Sequence, residues 1–187
     1  ERYGPIPQHE LVNPPTRVHR RREKNIYEGP RLLIKRGVDQ DKGQDQSGQI
    51  AARFETASFC FRDSIHCAPL ADIGEENAKI LLAILWSSVT RYFLFLTSGT
   101  WGLWHDEVKK DVIYSLPVRF PTDQTLTKTI VDVVDDLRGL AEISDQRSLF
   151  ATHGMPKKDR DKLITKLEHN LNLAVYDLFD LRDDERD

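Results

Sequence analysis

Cysteine, methionine and the fingerprints of nucleotide or metal chemistry are scarce or absent in this sequence. Its 187 residues include two cysteines, Cys60 and Cys67, which form no CxxC pair, and no Cys/His set has the spacing of zinc ligands. We therefore expect free thiols in a cytoplasmic protein and no metal site. No P-loop or glycine-rich dinucleotide fingerprint is present, so none of the common cofactor-binding motifs is available for catalysis.

The sequence also lacks a hydrophobic run long enough to cross a bilayer. The longest apolar stretch, residues 80–96, is interrupted by Ser87, Ser88, Thr90 and Arg91, whereas a spanning helix needs about 20 apolar residues. This stretch is interpreted as a core helix, and no membrane association is expected. No signal peptide is visible. Residue 1 is glutamate rather than methionine, so the sequence is expected to be a piece of a longer protein.

Residue types that form catalytic centres are present but poorly arranged. Cys67 follows His66 directly, and adjacent side chains on a strand point to opposite faces, so a nucleophile and its base are not expected there. Ser98 precedes His105 and Asp106 without the turn motif that surrounds a catalytic serine. No enzymatic activity is expected in this chain.

Hydrophobic periodicity predicts an α+β fold with strands first and helices after. Residues 1–27 hold several prolines and few periodic apolar positions, which indicates an extended basic arm or linker. Strands are predicted over 31–38 and 50–57 and as a pair within 58–70, with a polar loop over 39–49. The predicted fold is a small, mainly antiparallel sheet packed on a central helix, an α/β core over 28–121, followed by a helical hairpin over 122–187.

The helices follow from apolar spacing and from their end signals. A long central helix is predicted from Glu75 to about residue 96, because acidic residues suit its first turn and Gly99 suits a left-handed stop. A short strand is predicted over 112–118. Two amphipathic helices, over 125–143 and 157–179, are predicted to pack against each other.

Positive charge is concentrated near the amino end, although the net charge of the chain is −3. Residues 17–36 hold only two acids against eight cations, which are Arg17, Arg20, Arg21, Arg22, Lys24, Arg31, Lys35 and Arg36. Such a stretch can neutralise phosphates and bind nucleic acid with a strong salt dependence. A solvated charge run, or packing against the acidic carboxyl end, explains the same composition equally well.

Several side chains stand where a predicted sheet meets its loops. Lys35 and Arg36 lie at a predicted strand end, and Arg53 and Arg62 lie on the predicted sheet. Arginine can donate two hydrogen bonds to a guanine edge, and the glutamines of the polar loop suit adenine. The turn after the central helix adds the candidate contacts Ser98, Thr100 and Trp101. Core packing is the alternative role for Trp101.

Six short motifs, taken in their order and spacing, resemble one known family. They are RLLIKRG at 31–37, FRDSI at 61–65, LLAILWSS at 81–88, TSGTWG at 97–102, SLP at 115–117 and AVYDLFDL at 174–181. This set resembles the TaqI-like C-terminal specificity domain, the target-recognition domain of bacterial adenine-specific DNA methyltransferases and fused restriction-modification enzymes. The resemblance covers about residues 28–182, and the family helix more often has asparagine where this chain has Trp86.

The resemblance implies a sequence-specific DNA target-recognition domain without a catalytic domain. The implied partners are double-stranded DNA and an upstream methyltransferase domain. That upstream domain would bind S-adenosylmethionine, and no cofactor is expected in this chain. The alternative is a protein-interaction module of the same assembly, whose two carboxyl-terminal helices dock the catalytic domain or form a homodimer. A parent that combines nuclease and methyltransferase in one chain is a third possibility.

Overall fold

The observed architecture is α+β, as the sequence predicts. The computed structural model describes Tyr3, Glu23 and residues 26–37, 50–99, 107–145 and 155–186. Within these residues the elements are β1 Arg31–Lys35, β2 Ala52–Glu55, β3 Ile65–Pro69, α1 Glu75–Trp86, α2 Ser88–Thr97, α3 Lys110–Tyr114, α4 Gln124–Asp145 and α5 Lys157–Leu178, with a 3-10 turn at Asp183–Glu185. The predicted loop over 39–49 and almost all of the predicted arm over 1–27 lie outside the described residues.

The described strands form one antiparallel sheet with β1 at its centre, between β2 and β3. Leu32 stands opposite Phe54 on one side and Ala68 on the other. Leu32, Ile34 and Phe54 are buried on the face that packs against α1, as the period of two along a strand requires. The first two predicted strands are thereby confirmed, with shorter bounds.

The strand pair predicted within residues 58–70 is wrong, because only β3 forms there. Residues 58–62 have no strand structure. Their aromatic side chains instead form a cluster with the segment before β1: the Phe61 ring lies 5.2 Å from that of Tyr27 and 6.4 Å from that of Phe59. Alternating hydrophobicity looks the same whether the side chains pack across a ladder or under a loop.

The single central helix predicted from Glu75 is also wrong, because α1 and α2 are separate helices bent by 60°. The Ile84 carbonyl, which would accept the Ser88 N–H in a continuous helix, accepts the hydroxyls of Ser87 and Thr90 instead, each at 2.7 Å. The Ser88 N–H is satisfied by Asn172 Oδ1 of α5 at 2.8 Å. Side-chain competition for backbone groups therefore breaks the helix at this point.

Two smaller predictions in the following segment are corrected as well. Gly99 does not have a positive φ, and α2 ends at an extended Ser98 whose N–H bonds the Leu94 carbonyl at 2.8 Å. No strand forms over 112–118: its first three residues belong to the short helix α3, and 115–118 have neither helix nor strand structure. Val112, Ile113 and Leu116 pack on the core at positions i, i+1 and i+4, which is a helical spacing.

Helices α4 and α5 confirm the two predicted amphipathic helices and pack against each other. The apolar side chains of α4 (Ile130, Val133, Val134, Leu137) and of α5 (Leu167, Leu171, Val175, Leu178) are buried. They join those of α1 in one core, so α1 lies between the sheet and the helix pair. The predicted division at residue 121 into two units stays a prediction.

Across the described ranges, no single helix is long and apolar enough to cross a membrane. The bent pair α1 and α2 reaches that length and composition only when the two helices are taken together. All but one of the apolar residues of α1 are buried inside the protein, whereas Tyr92, Phe95 and Leu96 of α2 are each more than 60% exposed.

Candidate functional site at one end of the sheet

Three segments meet at the end of the sheet where β1 finishes. Beyond β1, Gly37 forms a bridge with Glu107, and the Val108 N–H donates to the Arg36 carbonyl at 2.8 Å. On the other side, the Arg36 N–H donates to the Ser64 carbonyl at 2.9 Å, in the turn that leads into β3. We call residues 35–37, 62–66 and 107–109 together the sheet end.

Arg36 is held at the sheet end by contacts to both neighbouring segments. Its Nε donates to Glu107 Oε1 at 3.0 Å, and its Nη2 contacts the same oxygen. Its Nη1 donates to the Asp63 carbonyl at 3.4 Å. The two side chains of the ion pair are about equally exposed, 40% for Arg36 and 39% for Glu107. The guanidinium is thereby oriented while it remains accessible from solvent.

The sheet end holds four cations, Lys35, Arg36, Arg62 and Lys109, and two carboxylates, Asp63 and Glu107. The hydrogen bond and charge of Arg36 hold the pKa of Glu107 below its ordinary value, and Lys109 and His66 act in the same direction. His66 is tied to this segment by a bond of 2.8 Å between its Nε2 and the Val108 carbonyl. The cations of the sheet end outnumber its carboxylates by four to two, which suits an anionic ligand.

Two connections of the chain, 38–49 and 100–106, adjoin the sheet end. Segment 38–49 runs between Gly37 and Ile50, and the Lys35 N–H bonds the Ala51 carbonyl at 2.9 Å, so both of its ends are fixed beside β1. Segment 100–106 reaches the same place at Glu107. Residues 38–49 and 100–106 themselves, which include the candidates Thr100 and Trp101, lie outside the described residues.

The structure brings together three of the residues predicted to contact DNA. Lys35, Arg36 and the exposed Arg62 all belong to the sheet end. Arg53 stands opposite Leu33 on β2, two positions along the ladder from Lys35. Ser98 is only 7% exposed and caps α2. Arg17, Arg20, Arg21 and Arg22 lie outside the part of the chain that the structure describes.

Sequence reasoning missed Glu107, Lys109 and His66 as members of the sheet end. Glu107 lies 71 residues from Arg36 in the chain, and no periodic pattern marks an isolated bridge. The charged run from 107 to 111 is the only local signal, and it is typical of any exposed segment. No sequence pattern connects His66 with residues 107–109.

His66 and Cys67 make separate contacts, as the alternation along a strand predicts. The two residues alternate along β3, and Cys67 Sγ donates to the Ile26 carbonyl at 3.3 Å, whereas His66 contacts Val108. Both cysteines are free thiols. Among the described residues, no group of three or more His, Cys, Asp or Glu side chains could hold a metal ion.

A fully buried arginine joins the start of β1 to the segment before it and to the segment after β2. Arg31 donates to the Gly29 carbonyl at 2.8 Å and to the Ala57 carbonyl at 2.5 Å, and its guanidinium lies 4.8 Å from the centre of the Phe59 ring. Burial lowers the pKa of Arg31, while the nearby Cys67 and Glu55 raise it. Arg31, although it belongs to the amino-terminal charge run, therefore stabilises the fold and is not accessible to a ligand.

Comparison with known proteins gives a fold but no family. No protein-family model matches this sequence, and no curated protein matches it. Among solved structures, the chain is similar to the Type IIL restriction-modification enzyme MmeI in complex with DNA, with a TM-score of 0.56 and 12% sequence identity. The match covers 82% of this chain and 19% of that one. The chain therefore shares a fold with about a fifth of a restriction-modification enzyme.

Proposed function

We propose that this chain is a DNA target-recognition module of a bacterial restriction-modification protein. The observation that carries the proposal is the sheet end, where Lys35, Arg36, Arg62 and Lys109 lie on three segments that backbone hydrogen bonds hold together. Loops fixed on a rigid sheet are a common way to present base-reading side chains, while nearby lysines and arginines contact phosphates. The shared fold with an enzyme solved in complex with DNA supports the same function.

Within this proposal, Arg36 reads a base and Glu107 positions it. Glu107 accepts from Nε and Nη2, so it fixes the plane of the guanidinium and leaves donors of Nη1 and Nη2 for a ligand. A planar guanidinium held in this way matches the two acceptors of a guanine edge. The exposed Arg62 and Lys109 would neutralise phosphates on either side.

The proposal extends to the protein of which this chain is a part. The module belongs to the TaqI-like group of specificity domains and acts in the cytoplasm. It carries no catalytic centre and no cofactor of its own. A methyltransferase domain upstream binds S-adenosylmethionine and modifies an adenine in the site that this module selects.

The experiment measures duplex binding by the full chain and by two matched variants. A preferred duplex is first selected from a random pool, and affinities for it and for a scrambled duplex are measured by fluorescence anisotropy. Arg36→Ala is compared with Arg119→Ala, because Arg119 is also an exposed arginine with one carboxylate partner, Asp180 at 2.5 Å. Arg36→Ala should weaken binding to the preferred duplex by about 1–3 kcal/mol and reduce the preference over the scrambled one.

The control defines the outcome that contradicts the proposal. Arg119→Ala should leave the preference between the two duplexes unchanged. Equal effects of the two variants on that preference, or no selectable duplex at low salt, would show that the sheet end does not read DNA.

A protein-interaction module is the second candidate function, and the exposed apolar face of α2 favours it. Tyr92, Phe95 and Leu96 occupy positions i, i+3 and i+4, so they share one face of the helix. The predicted docking or homodimer surface on α4 and α5 is less favoured, because the apolar side chains of those helices are largely used in the core. Loss of assembly in variants that keep their DNA affinity would support this second function.

A further inference from the structure

One face of α5 carries a row of like charges. Lys158, Lys162 and Lys166 follow one another at intervals of four residues, and all three are exposed. With 3.6 residues per turn, these positions share one face and rise by about 6 Å per step. His169, three residues further along, is exposed on the same face. We call these four residues the α5 stripe.

The orientation of the stripe is fixed by the opposite side of the helix. Leu167, Leu171 and Val175 are buried in the core, in contact with α4 and α1. The lysines therefore face away from the core, and the row is exposed to solvent.

Helix stability does not explain this arrangement. Like charges four residues apart repel each other, and Lys158, in the first turn, opposes the positive end of the helix dipole. None of the three lysines has an ion pair with a described residue, and the nearby Asp161 lies within 4.0 Å of Arg160. The exposed face of α4 is different: it mixes Lys128 with acidic residues, and Asp135 is bridged to Lys79 of α1 at 2.8 Å.

A series of contacts connects the middle of α5 to the sheet end. The Tyr3 hydroxyl donates to Glu168, and the Tyr3 ring lies 4.6 Å from the Trp86 ring. The Trp86 Nε1 donates to the Ala52 carbonyl at 3.0 Å, and the next residue back, Ala51, bonds Lys35. The carboxyl end of the stripe is thus joined through two packed side chains to the strands that form the sheet end.

We propose that the α5 stripe binds the phosphate backbone of duplex DNA beside the site recognised at the sheet end. This inference rests on the proposed function and gives it a second contact surface. Lys158 and Lys166 are about 12 Å apart along the helix, a span over which one strand of duplex DNA presents several phosphates, at about 3.4 Å of axis each. Lysine acts as a flexible point charge, which suits a phosphate contact that carries no sequence information.

The test compares two double variants that remove the same charge. Lys162→Gln/Lys166→Gln removes two members of the stripe. Lys128→Gln/Lys157→Gln removes two exposed lysines outside it, one on α4 and one on another face of α5. Affinity for the preferred and the scrambled duplex is measured over a series of salt concentrations, with circular dichroism to verify that each variant is folded.

The stripe variant should have a lower affinity for both duplexes, by the same factor. Its slope of log affinity against log salt should be smaller than that of the wild type by about two. The control should change the slope by much less. Equal slopes for the two variants would overturn the proposal. It would also be overturned if the stripe variant bound anionic phosphatidylglycerol vesicles more weakly than the wild type while its salt slope for DNA binding stayed unchanged.

The two proposals can fail separately in this experiment. A wild-type chain that binds both duplexes equally contradicts base reading at the sheet end, but a lower slope in the stripe variant still supports the backbone contact. A clear preference with an unchanged slope contradicts the stripe alone. A chain that binds no duplex at low salt contradicts both.

Discussion

Replacing Trp86 with phenylalanine should destabilise the protein, because it removes the hydrogen bond to the buried Ala52 carbonyl. The Lys35 N–H bonds Ala51, so the next pair along the ladder, Ile34 with Ala52, is a non-hydrogen-bonded pair. The Ala52 carbonyl therefore points away from β1 at the edge of the sheet, where the Trp86 indole N–H donates to it at 3.0 Å. Trp86→Phe leaves this buried acceptor without its donor.

Two contributions determine the size of the effect. An unsatisfied buried hydrogen-bonding group costs about 1–3 kcal/mol, and the smaller ring leaves a void beside Tyr3 that adds about 1 kcal/mol. The free energy of unfolding should fall by about 2–4 kcal/mol. For a chain of 187 residues, a loss of about 3 kcal/mol lowers Tm by roughly 6–12 °C.

Urea unfolding followed by circular dichroism measures this change directly. Tyr92→Phe is the matched control, because Tyr92 is 66% exposed and its substitution should change the free energy of unfolding by less than about 0.5 kcal/mol. A Trp86→Phe variant that stays within about 0.5 kcal/mol of wild type, with an unchanged m-value, would refute the role assigned to the indole N–H.

Arg31→Lys should lower the free energy of unfolding by about 1–3 kcal/mol in urea titrations, because one ammonium group cannot replace the guanidinium bonds to Gly29 and Ala57; an unchanged midpoint would contradict this. Glu107→Gln should remove a pH-dependent part of the stability. Because the pKa of Glu107 is below its ordinary value of 4.5, the carboxylate stabilises the fold fully above about pH 4.5 and loses this effect as the pH falls through the lowered value. The stability difference between wild type and Glu107→Gln should therefore shrink on acidification, and a difference that is independent of pH would contradict the assignment.

The elements with strong periodicity could be predicted from the sequence, and those determined by distant contacts could not. The apolar positions of α4 and α5 repeat over many residues, so both helices were placed within a few residues of their bounds. The break between α1 and α2 was missed because Asn172, 84 residues away from Ser88, takes over its N–H. A serine pair inside an apolar run is compatible with a continuous helix until that partner is known.

In the candidate site, too, residues marked by a local pattern could be predicted and those determined by distant contacts could not. Lys35 and Arg36 were found because a charged pair follows a clear strand and precedes a glycine. Glu107 was missed because its bridge to Gly37 links segments that no local pattern connects. Arg31 shows the opposite error: the sequence places it in a charge run, yet it is fully buried among the carbonyls and rings of the neighbouring loops.

The way in which the two connecting segments are attached affects how this fold can evolve. The described bonds that fix them at the sheet end, Lys35 N–H to Ala51 and Val108 N–H to Arg36, join backbone groups and do not depend on side-chain identity. A doubling in the length of such a segment costs only about 0.6 kcal/mol of loop-closure entropy. Chimeras in which other sequences replace the chain between Gly37 and Ile50, or between Gly99 and Glu107, should therefore keep these backbone bonds and remain folded.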